Sequence, residues 1–302
     1  TFGTPSGVAM DASGNTYVAD REGNRIRKVT RFGDVTTFAG SGAVGADDGP
    51  GPSATFKSPQ GIAVDGAGTV YVADSFNYLI RKISPAGVVS TLAGSGFQGY
   101  ADGQGAAASF REPFALTVDA GGNVYVADRQ NNSIRKITPS GDVTTLAGSG
   151  VAGMADGVGA AASFNGPEGI AMDNAGNSYV ADFFNHRIRK ITPSGEVSTF
   201  AGSGLSGATD GPASSATFSG PSGIVLDSSG TLYVADTENN KIRKITQAGL
   251  VSTYAGSGAY GRTDGPASTA TFYWPYGLAL SPFGNLVVAD MGNKVLRTIT
   301  PP

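Results

Sequence analysis

A chain of 302 residues, 40% of them apolar, can bury a substantial core; with 15% charged residues, well under the roughly 25% of ordinary soluble domains, and 46 glycines it reads as turn-dense and globular. A formal charge of −3 and a pI near 5.2 supply no basic field to draw nucleic acid or an anionic membrane. With no cysteine and one histidine, His186, the chain excludes disulfides, thiolate metal sites, cysteine nucleophiles and any site that needs two imidazoles.

No apolar run approaches the roughly 18 residues needed to cross a bilayer, and Thr1 opens the chain with neither an initiator Met nor a signal peptide, so a processed or excised piece of a longer protein is expected. From its start the chain repeats. Val-Ala-Asp ends at Asp20, Asp74, Asp128, Asp182, Asp236 and Asp290, each 54 residues after the last, and the same step carries Pro5 through Pro59 to Pro275 and Arg27 through Arg81 to Arg297. Copies begin at residues 1, 55, 109, 163, 217 and 271 without insertion or deletion, and the last, 271–302, has only 32 residues.

In the second copy, period-2 alternation and flanking turn residues predict strand a over Gly61–Asp65, b over Thr69–Asp74, c over Leu79–Ser84 and d over Val89–Ala93. The links Gly66-Ala67-Gly68 and Pro85-Ala86-Gly87 are turn chemistry, so each unit is an antiparallel meander. Ile80 and Ile83 of strand c fall on opposite faces, so both faces of the sheet need cover. Radial stacking of four-stranded units provides it at this period. The expected fold is all-β: one domain, residues 1–302, forming a six-bladed β-propeller of four-stranded antiparallel blades.

The segment Asp182-Phe183-Phe184-Asn185-His186-Arg187-Ile188 resembles the NHL-repeat motif D-x-x-N-H-R-I. Asn77, Asn131, Asn239 and Asn293 repeat its Asn, and Gly23 replaces it in the first copy. The His position reads Asn24, Tyr78, Asn132, Asn240 and Lys294 in the other copies. The resemblance extends over the whole chain and implies a six-bladed NHL-type propeller; because such propellers serve as RNA-binding, protein-binding, sensor and lyase domains, it implies no single function. Two departures stand out. The link from strand d to the next strand a runs to about 20 residues, with a repeated Phe (Phe56 to Phe272) expected beneath it and a repeated Asp (Asp48 to Asp264) expected to tie its turn by Asx-type hydrogen bonds. The sixth copy ends after its strand c, Lys294–Thr300, so the ring is expected to close with a three-stranded last blade whose outer edge a longer parent chain would cover.

A residue repeated in every copy is first a candidate for a structural task. The Arg-Ile-Arg-Lys strands read either as a basic stripe for phosphate or as guanidinium groups held between blades by a repeated Asp, and the second reading is preferred because a packed guanidinium needs partners. The repeated Asn reads as turn chemistry, and His186 as a solvated loop-tip residue for which no carboxylate co-ligands can be placed. What remains after this subtraction lies on the face where the long d–a links and the b–c turns emerge. The residue between Pro and Gly, or its equivalent (Ser6, Gln60, Phe114, Glu168, Ser222 or Tyr276), is expected to ring the mouth of the central channel, and Tyr273-Trp274-Pro275-Tyr276 concentrates aromatics there. The candidate ligand-binding residues are Tyr273, Trp274, Tyr276, Phe114, Glu168, Gln60, Phe183, Phe184, His186 and Tyr78. Aromatic rings on a polar rim suit a carbohydrate, a peptide side chain or a protein partner; the alternative is that they pack among the loops and close the ring.

One His and five Glu residues leave zinc or His-dependent lyase chemistry without a ligand set, whereas a Ca²⁺ site of Asp, Asn and backbone oxygens stays open. No phosphate-binding or nucleophile-elbow motif occurs in a fitting context. The sequence therefore points to a monomeric, non-catalytic binding or interaction module for a protein, peptide or glycan, with no catalytic residue, metal ligand or cofactor assigned and no DNA partner. Its expected setting is extracellular, cell-surface or periplasmic, within a larger exported bacterial protein. The alternatives are a Ca²⁺-dependent propeller hydrolase, lactonase or lyase with a channel metal, and an RNA-binding NHL domain, which the acidic pI disfavours.

Overall fold

A computed structural model describes residues 2–301, and the chain forms six antiparallel sheets set radially about one channel. In the second blade, strands a to d are Pro59–Val64, Val70–Asp74, Leu79–Ile83 and Val88–Ala93. Strand a starts at Pro59, ahead of the expected Gly61, because Pro59 already pairs with Asp74; a proline, having no N–H to give, is tolerated as the first residue of a strand. An unforeseen fifth strand, Gly49–Pro50, comes from the link before the blade and pairs with Val89 and Val88 outside strand d. Gly103–Gln104, Gly157–Val158 and Gly211–Pro212 do the same in the next three blades, so the long link is folded and laces each blade to the next. The first blade has four strands and the sixth three, Pro275–Leu280, Leu286–Asp290 and Val295–Ile299.

Alternation along strand b decides which neighbour each side chain meets. Val70 and Val72 pack toward the first blade's Tyr17, Ala19 and Ile26, while Tyr71 and Ala73 face the third blade. Phe56, Phe110, Phe164 and Phe218 lie fully buried beneath the links, each contributing about 1.5–3 kcal/mol by burial. Near the axis the backbones approach more closely still. A Cβ on Gly7 would lie 2.3 Å from the Gln60 carbonyl oxygen, and one on Gly169 would lie 1.9 Å from that of Ser222, which explains the recurrent Pro-x-Gly. The ring closes between blades six and one on a smaller cluster, Val8, Val18, Ala279 and Ala289.

The repeated Arg sits between blades, held by repeated Asp residues. Arg81 is fully buried; its Nη1 donates to Asp74 Oδ2 at 2.8 Å and to the Thr55 carbonyl, and its Nη2 donates to Asp48 Oδ1 at 2.6 Å and to the Asp47 carbonyl. The guanidinium lies over the Phe56 ring, with its carbon 5.2 Å from the centroid. Arg135, Arg189 and Arg243 repeat the arrangement. Contrary to the sequence expectation, the Asp of the long link does not tie its own turn by an Asx bond: Asp48 reaches the next blade, taking Arg81 and, from strand d, both the N–H and hydroxyl of Thr91. The Asx geometry belongs to the a–b hairpin, where Asp65 Oδ1 accepts from the N–H groups of Ala67 and Thr69. Asn77 likewise bonds Asp74 and the Gly45 carbonyl, tying the b–c turn to the link. Burial pushes Asp74 and Asp128 up to about 6 against these bonds, which leaves both as carboxylates at neutral pH.

Arg189→Ala leaves Asp182 buried without its cation and is expected to cost about 3–5 kcal/mol in urea unfolding, against within about 0.5 kcal/mol for the exposed Arg31→Ala. Equal losses for the two would show that the buried pair is not what joins the blades.

Candidate functional site

The central channel holds a cavity of about 330 Å³ with largely apolar walls, among them Val8, Ile62, Leu116, Ile170, Ile224 and Leu278. Its lining begins at the glycine of Pro-x-Gly in five blades and at Ala115 in the third. The residues just before these, Ser6, Gln60, Phe114, Glu168, Ser222 and Tyr276, form its long-loop end. They are largely buried, and three of them meet across the axis. Tyr276, from blade six, donates its hydroxyl to Glu168 Oε2 of blade four at 2.6 Å, and its ring lies 5.8 Å from that of Phe114 in blade three. Arg129 caps the group: its Nε donates to Glu168 Oε1 at 2.9 Å and its Nη1 to Glu112 Oε2 at 3.2 Å, and its face covers both Phe114 and Phe184. Gln130 Nε2 donates to the same Glu112 oxygen.

The chemistry of this stopper is set by burial. Glu168 is 3% exposed, and desolvation pushes its carboxyl up to about 7 although Arg129 and Tyr276 favour the anion. The Tyr276 phenol is pushed well up by the same burial and by the adjacent carboxylate, so it remains a hydrogen-bond donor. Solvent reaches this group at the exposed Phe184 ring and in part at Arg129, while Glu168 and Phe114 are buried.

The remaining candidates lie apart from this group. Tyr273 and Trp274 are partly exposed and, with Tyr260, form a separate aromatic patch, with ring centroids 5.5 and 6.0 Å from that of Tyr273. Phe183 and Phe184 stack edge to face at 4.9 Å, and Phe184 borders the stopper through Arg129. Gln60 is buried, and its carbonyl accepts a bond from the Ser6 hydroxyl. Tyr78 and His186 occupy left-handed positions that close the b–c turns, φ 57° and 53°. His186 Nδ1 accepts the Gly220 N–H at 3.2 Å, as the Oδ1 of Asn24, Asn132 and Asn240 accepts the N–H of Ser58, Gly166 and Trp274. The imidazole thus does the work of an Asn side chain.

Arg129, Glu112 and Gln130 escaped the sequence reading. The signal lay in their columns. Where Arg129 stands, Ser75 and Thr237 use a hydroxyl to bond the next blade at the Pro113 and Pro275 carbonyls; an Arg there must reach farther, and it finds Glu168. Among the described residues, no three His, Asp or Glu side chains gather in a way that would hold a metal ion.

The NHL repeat family model matches residues 2–29, 164–191 and 218–245. The chain is 32% identical over 263 residues to the chloroplastic SUPPRESSOR OF QUENCHING 1 protein of Arabidopsis thaliana, covering 81% of this chain and 25% of that protein. It is 28% identical over 334 residues to human NHL repeat-containing protein 2, covering 79% of this chain and 46% of that one, so it spans between a quarter and a half of these relatives. Three solved structures superpose on it: a Bacteroides thetaiotaomicron protein of unknown function (TM-score 0.77, 22% identity, 98% of this chain and 69% of that one), an auxiliary nutrient binding protein of the same organism (0.74, 16%, 99% and 69%) and the Xanthomonas campestris gluconolactonase XC5397 (0.69, 16%, 99% and 86%). At these identities the likeness is one of fold.

Two outcomes are expected at these positions. His186→Asn should keep stability within about 0.5 kcal/mol, whereas His186→Ala, which loses the interblade bond and strains the left-handed backbone, should cost about 1–2 kcal/mol in chemical denaturation. For Glu168 the folded value lies above that of the unfolded chain, so the folded state holds the extra proton; its stabilisation is present in acid and lost as pH rises through about 7. Thermal midpoints should therefore fall between about pH 5 and about pH 8 more steeply for wild type than for Glu168→Gln, and parallel curves would show that Glu168 is not the titrating group.

Proposed function

We propose that this chain, an NHL-repeat six-bladed β-propeller, works as a non-catalytic binding module that takes a protein, peptide or glycan ligand on its long-loop face around the channel mouth. One observation carries this reading. The repeated Arg and the Asp residues that hold it are bound between blades, and residues that vary from blade to blade supply the long-loop side with Arg129, Glu112 and Glu168 beside Phe114, Phe184 and Tyr276 at the mouth, and with Tyr260, Tyr273 and Trp274 in a patch of their own. Rigid Tyr and Trp rings give large contact area at low entropic cost beside hydrogen-bonding groups, which suits a sugar face or a peptide side chain. The chain acts as part of an exported bacterial protein at the cell surface or in the periplasm, a setting supported by its likeness in fold to a Bacteroides nutrient-binding protein. No helix of the described residues is long and apolar enough to cross a membrane.

A calcium-dependent hydrolase or lyase reading has support in the fold shared with a gluconolactonase, but the channel walls here are mainly aliphatic side chains and backbone. RNA binding would draw on the Arg strands, and four of those guanidinium groups are buried in ion pairs.

The test is a screen of soluble glycans and peptides against the whole chain, followed by Trp274→Ala. The variant should weaken any ligand so found by about 2 kcal/mol, some thirtyfold in Kd, at an unchanged thermal midpoint. Undiminished affinity would move the site away from this face.

A further inference from the structure

The stopper fills only part of the channel mouth. Phe114, Glu168 and Tyr276 come from blades three, four and six, and on the side of blades one and two the same column holds Ser6 and Gln60. The Ser6 hydroxyl is spent on backbone, donating to the Gln60 carbonyl at 3.0 Å. Gln60 is 4% exposed, yet its side-chain amide has no hydrogen-bond partner among the described residues, and neither of its polar atoms is sealed from solvent. Buried amides are ordinarily satisfied, so one left open at a channel mouth marks a place where a ligand completes the set. Arg21 stands beside it. Where the residue after the Asp of strand b can bond, it reaches the inner strand of the next blade: Ser75 donates to the Pro113 carbonyl at 2.6 Å, Arg129 to Glu168 at 2.9 Å and Thr237 to the Pro275 carbonyl at 2.8 Å. The same register directs Arg21 toward Pro59-Gln60, and its positive charge, like that of Arg129, acts on the Tyr276 hydroxyl, which places it at the mouth. Arg129 is matched by Glu168 and Glu112, whereas Arg21, partly exposed, has no ion pair or side-chain hydrogen bond among the described residues; the adjacent Glu22 is taken by Lys294 at 3.2 Å.

We propose that this side of the mouth is a carboxylate site, in which Arg21 and Gln60 hold the acidic group of a ligand lying beside the stopper. The proposal rests on the reading of the long-loop face as the binding face and names the chemistry that face selects. A guanidinium gives a carboxylate two parallel N–H bonds, the Gln60 amide N–H adds a third, and the amide oxygen is left to accept from a hydroxyl or N–H of the same ligand. Charge fixes the valence. One unmatched cation suits a monoanion, while a phosphate dianion would face Glu168 and Glu112 with no second unmatched guanidinium to offset it. The same carboxylate can be carried by a sugar acid or by the free C-terminus of a peptide, and the site reads the group common to both.

The ¹⁵N-labelled 302-residue protein is titrated with sodium glucuronate and with an N-acetylated alanine peptide ending in a free carboxylate, each against its neutral counterpart, the methyl ester and the C-terminal amide. Saturable shifts of the Gln60 side-chain NH₂ and the Arg21 Nε–H are expected with at least one of the acids, with its neutral counterpart weaker by about tenfold or more. A response to glucuronate alone assigns a sugar acid, and a response to the peptide alone assigns a peptide C-terminus. Arg21→Gln should weaken the responding acid by about thirtyfold and Gln60→Met by about fivefold, at unchanged thermal midpoints, while Lys57→Gln, an exposed cation of the neighbouring link, should leave its affinity unchanged. The proposal is overturned by no shift with either acid, by an ester or amide that binds as well as its acid, by undiminished affinity in Arg21→Gln, or by sulfate that binds as tightly. A ligand whose affinity falls with Trp274→Ala but not with Arg21→Gln would keep the binding face and remove this site; the reverse result would keep this site and remove the aromatic patch.

Discussion

Four joints of this ring depend on a guanidinium that water cannot reach. Arg81, Arg135, Arg189 and Arg243 are fully buried, and each is paid for by two carboxylates, two backbone carbonyls and a Phe ring. A charge so placed would be prohibitive if any of these partners were missing. The requirement therefore propagates: it fixes the Asp that ends strand b, the Asp and the Phe in the long link, and the length of that link, which must carry both residues to the same guanidinium. A 54-residue unit that never slips is what this constraint looks like in sequence.

The same constraint explains why function belongs where the copies differ. The Asn and Arg residues of the shared motif, and the His in the single blade that has one, hold turns and links to their neighbours, and His186 serves as a longer Asn. Polar groups bound into such a network have little left to offer a ligand. The channel mouth is different. Its column of residues lies outside the buried Arg–Asp pairs, and in blades three, four and six it holds Phe114, Glu168 and Tyr276, large enough to meet across the axis. The result is a stopper rather than an open ring, which leaves the cavity below it to the hairpin end of the channel.

The four-strand meander of each unit, the blade count and the three-stranded sixth blade were legible in the sequence, because alternation and repeat length are local properties that the chain displays directly. The edge strands such as Gly49–Pro50 were not: two residues carry no periodicity, and they become a strand only when the next blade's Val88 and Val89 come alongside. The site was legible in part. Phe114, Glu168 and Tyr276 could be placed at the mouth from their position between Pro and Gly, but Arg129, Glu112 and Gln130 could not be joined to them, since the pairings cross from one repeat to another.

The sequence by itself determined the fold, because the same backbone demands recur six times and leave the same residues each time: Gly where neighbouring inner strands nearly touch, Ala and Val where sheets pack, and Asp and Arg where a buried charge must be matched. Only the tertiary structure decided the partners. An Asp in a turn can bond its own backbone or a guanidinium 33 residues away in the chain, as Asp48 does with Arg81, and nothing local distinguishes the two. The same holds for the mouth, where Tyr276 meets a carboxylate 108 residues away. Closing the ring sets those distances, and with them the burial that gives Glu168 its proton affinity.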